Sequence, residues 1–169
     1  MSEVNTNPSV LSIFQKSDLN AGIFGRVAAG ARTERHAQYQ NVYWGTFAEW
    51  TANGLIPPTY STTELLGVQA ISNDGTQANI ALQIAGAGSI GTVMKEGYVI
   101  CRMDVDNKPA VGQAVSVNLN TGKIGYVTGL TSGGVLNIAK ALARVVAVYD
   151  THCEVELAGN TVLACTYVA

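Results

Sequence analysis

From Ile80 onward, hydrophobic and polar positions alternate with a period of two far more often than with a helical period. Ile80, Leu82 and Ile84 alternate with polar or small residues, and so do Val115, Val117 and Leu119 with Ser116, Asn118 and Asn120. Cys153, Val155 and Leu157 alternate with His152, Glu154 and Glu156. Such alternation predicts half-buried strands, because successive strand side chains point to opposite faces. Other runs predict strands by residue type. Asn41 to Phe47, Leu65 to Ile71, Tyr98 to Met103, Arg144 to Tyr149 and Val162 to Tyr167 are rich in aromatic, β-branched and aliphatic residues. Turn formers separate them: Pro57-Pro58, Asn73-Asp74-Gly75, Asp104 to Pro109, Asn120-Thr121-Gly122 and Gly159-Asn160.

The stretch from Glu96 to Tyr126 reads as a central β-meander: strand, turn, strand, tight turn and a third strand resuming at Ile124. Two segments are less regular. Phe47 to Ala52 is compatible with one helical turn stopped by Gly54. Asn137 to Ala143 is the most helix-like stretch, since Asn caps and Ala and Leu favour helix, and it stays undecided between helix and strand. About nine or ten short strands without a βαβ rhythm predict an all-β fold, an antiparallel β-barrel or jelly-roll-like sandwich.

Residues 1–40 differ from the rest. Leu11, Ile13 and Phe14 form a short apolar patch, and Gly22, Gly25 and Gly30 interrupt any regular element. This is the pattern of an extended N-terminal arm (1–40) ahead of one β domain (41–169), the alternative being an ordinary strand of the main sheet. As an arm, it orders against a neighbour, since roughly 1.5–3 kcal/mol per buried anchor does not offset about 1 kcal/mol per ordered residue. Deleting residues 1–25 is then expected to leave melting nearly unchanged while assembly drops.

The 169 residues carry 47% apolar and only 13% charged side chains, with a net charge of −2, against roughly 25% charged in ordinary soluble domains. Between Asn41 and Met94 there is no Lys or Arg, and the only acids are Glu49, Glu64 and Asp74. A face so poor in charge suits coverage by a partner. The scattered basic residues exclude the stripe of a nucleic-acid binder. No apolar run reaches the ~18 residues that span a bilayer. The first residues lack the basic and apolar regions of a secretory leader.

Candidate chemistry is sparse. Gly86-Ala87-Gly88-Ser89-Ile90-Gly91 matches a dinucleotide fingerprint, but the helix that must follow it is absent from the pattern. Asp104-Val105-Asp106-Asn107 lacks the glycine and closing acid of a calcium loop. His152 beside Cys153 is a poor ligand pair on a strand. No nucleophile elbow or paired metal motif occurs, so neither catalysis nor a cofactor is expected. Cys101, Cys153 and Cys165 read as free buried thiols, with a Cys153–Cys165 bridge across a terminal hairpin as the alternative. Trp44 and Trp50, with Leu11, Ile13 and Phe14, are the candidate interface residues, and the two tryptophans are equally candidates for a sugar-stacking platform.

Gly45, Gly67-Val68-Gln69, Gly97-Tyr98-Val99-Ile100, Val111 to Val117, Thr121 to Gly125 and Ala143-Arg144 occur in an order that resembles the capsid cement, or head decoration, proteins of tailed bacteriophages. The resemblance implies a β-barrel or jelly-roll-like fold made in the host cytoplasm and assembled as homodimers or homotrimers on the outer capsid. There it would bridge subunits of the major capsid protein, contacting neither membrane nor DNA. A tail-tube, spike or fibre-base module shares this composition and stands as the alternative, beside a sugar-binding barrel.

Overall fold

The computed structural model describes residues 22, 31–71, 77–126, 134–159 and 162–169. Leu11, Ile13 and Phe14 therefore lie outside the described residues. The described residues include thirteen strands and one six-residue helix. In chain order these are β1 (Arg32–Ala37), β2 (Val42–Tyr43), β3 (Phe47–Thr51), β4 (Gly54–Ile56), β5 (Glu64–Leu65) and β6 (Gly67–Gln69). Helix α1 (Gln77–Leu82), β7 (Ile84–Ala85), β8 (Ile90–Arg102), β9 (Ser116–Asn118) and β10 (Val135–Ile138) follow. The chain closes with β11 (Ala143–Val148), β12 (His152–Ala158) and β13 (Leu163–Val168).

The longest strand, β8, is the spine of a seven-stranded sheet in the order β11-β12-β8-β6-β3-β4, with β1 also on β8. A four-stranded sheet, β5-β13-β10-β9, and the β2-β7 pair complete the fold. All strand pairs are antiparallel, and among the described residues neither sheet closes on itself, so the architecture is a sandwich and not a barrel.

One edge of β8 is shared end to end. β1 pairs with Ile90 to Glu96, and β12 takes over from Glu96 to Arg102. Gly97 sits at the handover with φ +113°, a conformation closed to most L side chains. The strand bends there. Thr92 accepts from Ala70 N (2.8 Å), and Arg102 N donates to Gly45 O (2.9 Å), whose own N–H bonds Gln69 O (2.7 Å). Both ends of β8 thus reach the same neighbourhood, whereas ten straight strand residues span roughly 33 Å. Gly22 also touches this region, donating to Ile100 O (2.7 Å) and accepting from Ile71 N (3.1 Å).

The main core lies between the two sheets: Phe47, Val68, Met94, Cys101, Val145 and Val155 meet Leu65, Val117, Leu136, Ile138 and Leu163. Period two splits β3 and β8 between two cores. Phe47 and Met94 face this one, while Ala48 and Val93 join Val42, Leu55 and Leu66 in a second cluster.

Several local expectations change. Of the Glu96–Tyr126 meander only the second half forms, with Ile124 antiparallel to Val117 across the Asn120–Gly122 turn. The first does not, because the Asp104–Ala114 connection carries the chain from β8 in one sheet to β9 in the other. Alternation specifies strands but not their partners. β9 is buried on both faces, with Ser116 at 1% and Asn118 at 8% exposure, and Ser116 Oγ lies 2.8 Å from Asn137 Oδ1. Phe47–Thr51 is a strand and not a helical turn, since Ala52-Asn53 closes a hairpin onto β4. Ile80 and Leu82 lie on helix α1, half-exposed or more, and Gln83 ends it at φ +58°. Asn137 to Ala143 is the end of β10, a turn at Ala139–Leu142 and the start of β11. Within the proposed arm, Arg32–Ala37 is paired to β8 of its own chain.

The three cysteines are free. Cys153 opposes Cys101 across β8 and β12, whereas Cys165 lies in the other sheet, so β12 and β13 are not a terminal hairpin. Burial pushes the Cys101 thiol well up, Cys153 to about 12 and Cys165 to about 11, with Glu49 and Glu64 adding to the last. Thiolate is the reactive form. A disulfide reagent at pH 8 is therefore expected to leave all three thiols untouched over minutes in the native protein and to modify all three in denaturant. Rapid native modification of Cys101 or Cys153 would contradict their placement in the core.

Candidate interaction surface

The structure separates the two tryptophans. Trp44 belongs to the core at 5% exposure, because the turn after β2 folds it inward, and its ring is not displayed. Trp50 is 57% exposed near the end of β3, its ring tilted against His36 at 5.4 Å between centroids. Beside it a shallow hollow of about 70 Å³ is lined by Glu64, Leu65, Leu66 and Val162. Tyr60 and Tyr167, both well exposed, meet edge to face at 6.3 Å. Glu64 lines that hollow, whereas Glu49, on the opposite face of β3 from Trp50, accepts from Thr62 Oγ1 at 2.6 Å. No Lys or Arg comes from residues 41–94. Apart from Glu64 and the Glu34–His36–Lys95 chain at its edge, this surface has few charges and exposed aromatics, a composition that suits an interface centre.

Next to Trp50, a charged chain runs inward. His36 Nε2 lies 2.9 Å from Glu34 Oε1, and Glu34 Oε2 lies 3.2 Å from Lys95 Nζ, whose side chain is 3% exposed. The His36 bond and the Lys95 ammonium hold the Glu34 carboxyl below its ordinary range against the opposing effect of burial. A carboxyl depressed in the folded state stabilises above its unfolded pKa, near 4.5, and that stabilisation is lost as pH falls through the folded value. Glu34→Gln is therefore expected to cost about 1–2 kcal/mol at pH 7, discounted for the carboxylate's partial exposure. The difference should shrink towards zero at pH 3, as thermal melts of both proteins across that range would reveal. An equal difference at both ends would contradict the pairing.

A second feature joins segments far apart in the chain. Tyr43 on β2, the Pro57-Pro58 loop and the Asn120–Gly122 turn enclose a cleft of about 260 Å³. Arg102 lies 4.6 Å from the centre of the Tyr43 ring, fixed by bonds from Nε to Trp44 O (3.0 Å) and from Nη2 to Gln83 Oε1 (3.3 Å). Burial lowers the Arg102 pKa, while Tyr43 opposes the shift. Sequence pattern marks Tyr43 as a strand residue and Pro57-Pro58 as a loop, yet nothing in it signals that they meet.

The residues after Gly91 form β8 and no helix, so no helix N-terminus faces the Gly86–Gly91 turn. Asp104 closes a local turn, accepting from Asp106 N (3.0 Å) and Asn107 Nδ2 (3.2 Å). His152 sits 2.8 Å from Thr151 Oγ1, while Cys153 points into the core. Among the described residues no three His, Cys, Asp or Glu side chains gather as a metal site.

No protein-family model and no curated protein matches the chain. Its fold is similar to a solved chain described as the capsid of Myoviridae phage XM1, with a TM-score of 0.67 and 17% identity. That likeness covers 83% of this chain and 90% of the phage chain. At that identity it is a likeness of fold, and it agrees with the all-β, antiparallel reading of the sequence.

Proposed function

We propose that this chain is a structural protein of a phage virion, a cement or decoration protein seated on the outer capsid. The observation that carries the reading is the near end-to-end fold likeness to a chain from a phage capsid. The charge-poor aromatic face around Trp50 supports it, since such a face suits a protein partner better than water. In this reading the major capsid protein is the partner and Trp50 an anchor. The arm residues Leu11, Ile13 and Phe14 add contacts to neighbouring subunits or to further copies in a homodimer or homotrimer. The chain performs no catalysis and acts by bridging shell subunits so that they separate less readily. Electron microscopy of particles carrying a tagged chain tests the location: regularly spaced density on the shell is expected. Density confined to the tail would overturn it in favour of a tail module.

A further inference from the structure

The cleft between β2, the Pro57-Pro58 loop and the Asn120–Gly122 turn has the construction of a small-ligand site, and the virion role does not call on it. Its aromatic wall is preset. Tyr43 is half-exposed, and Arg102, tied to Trp44 O and Gln83, braces the ring from one side. A second wall is rigid, because Pro57 and Pro58 each fix φ. At the base, the Asn120–Gly122 turn is drawn tight by Gly122 N donating to Asn118 O at 2.7 Å.

Polar groups on the rim retain unused capacity. The Asn41 side-chain oxygen accepts from Ala87 N at 2.8 Å, which leaves its amide N–H groups to donate. Thr121 Oγ1 accepts from Lys123 N at 3.2 Å and keeps its O–H. The Asn120 backbone N–H donates to Asn118 Oδ1 at 2.8 Å, and its side-chain amide adds a further donor and acceptor at the cleft. Among the described residues no charged side chain lines the cleft, and Arg102, against the Tyr43 ring, is already bonded to Trp44 O and Gln83 Oε1. A charged ligand would lose water there for little compensation.

We propose that this cleft binds one ring of a neutral saccharide, with an apolar ring face against Tyr43 and hydroxyls bonded to Asn41, Asn120 and Thr121. A flat C–H face matches an aromatic ring, and vicinal hydroxyls, each donor and acceptor, match amide and hydroxyl side chains in a neutral setting. The volume suits one sugar ring better than an extended peptide. Affinity for a ligand of about a dozen heavy atoms in an open cleft is expected on the order of millimolar. The site is distinct from the Trp50 face and does not depend on where the protein acts.

The test is a titration of the full isotope-labelled chain with glucose, galactose, mannose, N-acetylglucosamine and their β-linked disaccharides, to ~50 mM. At least one is expected to shift the amide signals of Tyr43, Asn120 and Thr121 saturably. Asn120→Ala, on a surface turn, should weaken that binding about tenfold with unchanged melting, the loss of roughly one well-placed hydrogen bond. Tyr43→Ala should remove the binding altogether. Should Tyr43→Ala fail to fold, Asn120→Ala carries the test alone. Absence of saturable shifts with every sugar, or shifts centred on Trp50 or Tyr60, would overturn the proposal. So would occupation of the cleft by a proline-rich peptide when no sugar binds.

Discussion

Replacing Gly67 with valine is expected to lower the melting temperature by roughly 6–20 °C. β6 is three residues long and is held between β3 and β8, with Ala48 opposite Gly67 on one side and Val68 opposite Met94 on the other. A Cβ at Gly67 would run into the carbonyl oxygen of Met94 and come within 2.9 Å of Val93 Cγ1. The first obstacle is backbone, so no rotamer change relieves it. The sheet must open or β6 must detach, which would expose Val68 and Phe47 from the main core. Such overpacking with loss of pairing costs roughly 3–5 kcal/mol, a large share of the 5–15 kcal/mol typical of a domain. Gly67→Ala should show the same defect in milder form. Thermal melts measure both, and a valine variant melting within a few degrees of the native protein would contradict the register of β6 on β8.

The second large effect concerns function alone. Trp50→Ala and Trp50→Glu are expected to reduce occupancy of purified capsids by about 30-fold or more, the loss that accompanies removal of an interface anchor worth roughly 2 kcal/mol. Melting should move little, because Trp50 is more than half exposed. The glutamate variant should be the worse, since it adds a carboxylate near Glu64 and would bury charge at the contact. Sedimentation of capsids with each variant gives the occupancy. Native-like binding by both would show that the Trp50 face is not the one in contact.

The fold class was legible in the sequence because period-two alternation and turn residues are local properties. β11, β12 and β13 fall where apolar runs and alternation place them, whereas β8 contains the expected run from Tyr98 but begins eight residues earlier, at Ile90. What was not legible was the partner of each strand. Asp104 to Pro109 announces a turn, but nothing in those residues says that the chain leaves one sheet for the other before Val115. The same limit produced the mistaken hairpin of Cys153 and Cys165. Short apolar spacings misled as well: Ile80, Leu82 and Ile84 fit a strand, yet three residues cannot fix a period, and Ile80 and Leu82 are on a helix. The hairpin between Thr51 and Gly54 has Ala52-Asn53 at its centre, which is not the Asn-Gly pair that marks such turns, so the helical look of Phe47 to Ala52 had no local signal against it. Of the candidate site, Trp50 could be named from residue type alone. Its separation from Trp44 depends on the turn at Gly45 and on burial, which no local pattern carries. The Tyr43 cleft draws on three distant segments and was invisible.

The most direct test of the virion role uses capsids assembled without this chain. Purified protein is added in increasing amounts, and bound copies are counted per particle while the particles are challenged by heat. Saturation at a fixed number of copies per shell, with disruption of the shell moved to higher temperature in step with occupancy, is the predicted result. Capsids that bind no fixed number of copies, or that bind them and break at the same temperature as before, would contradict it.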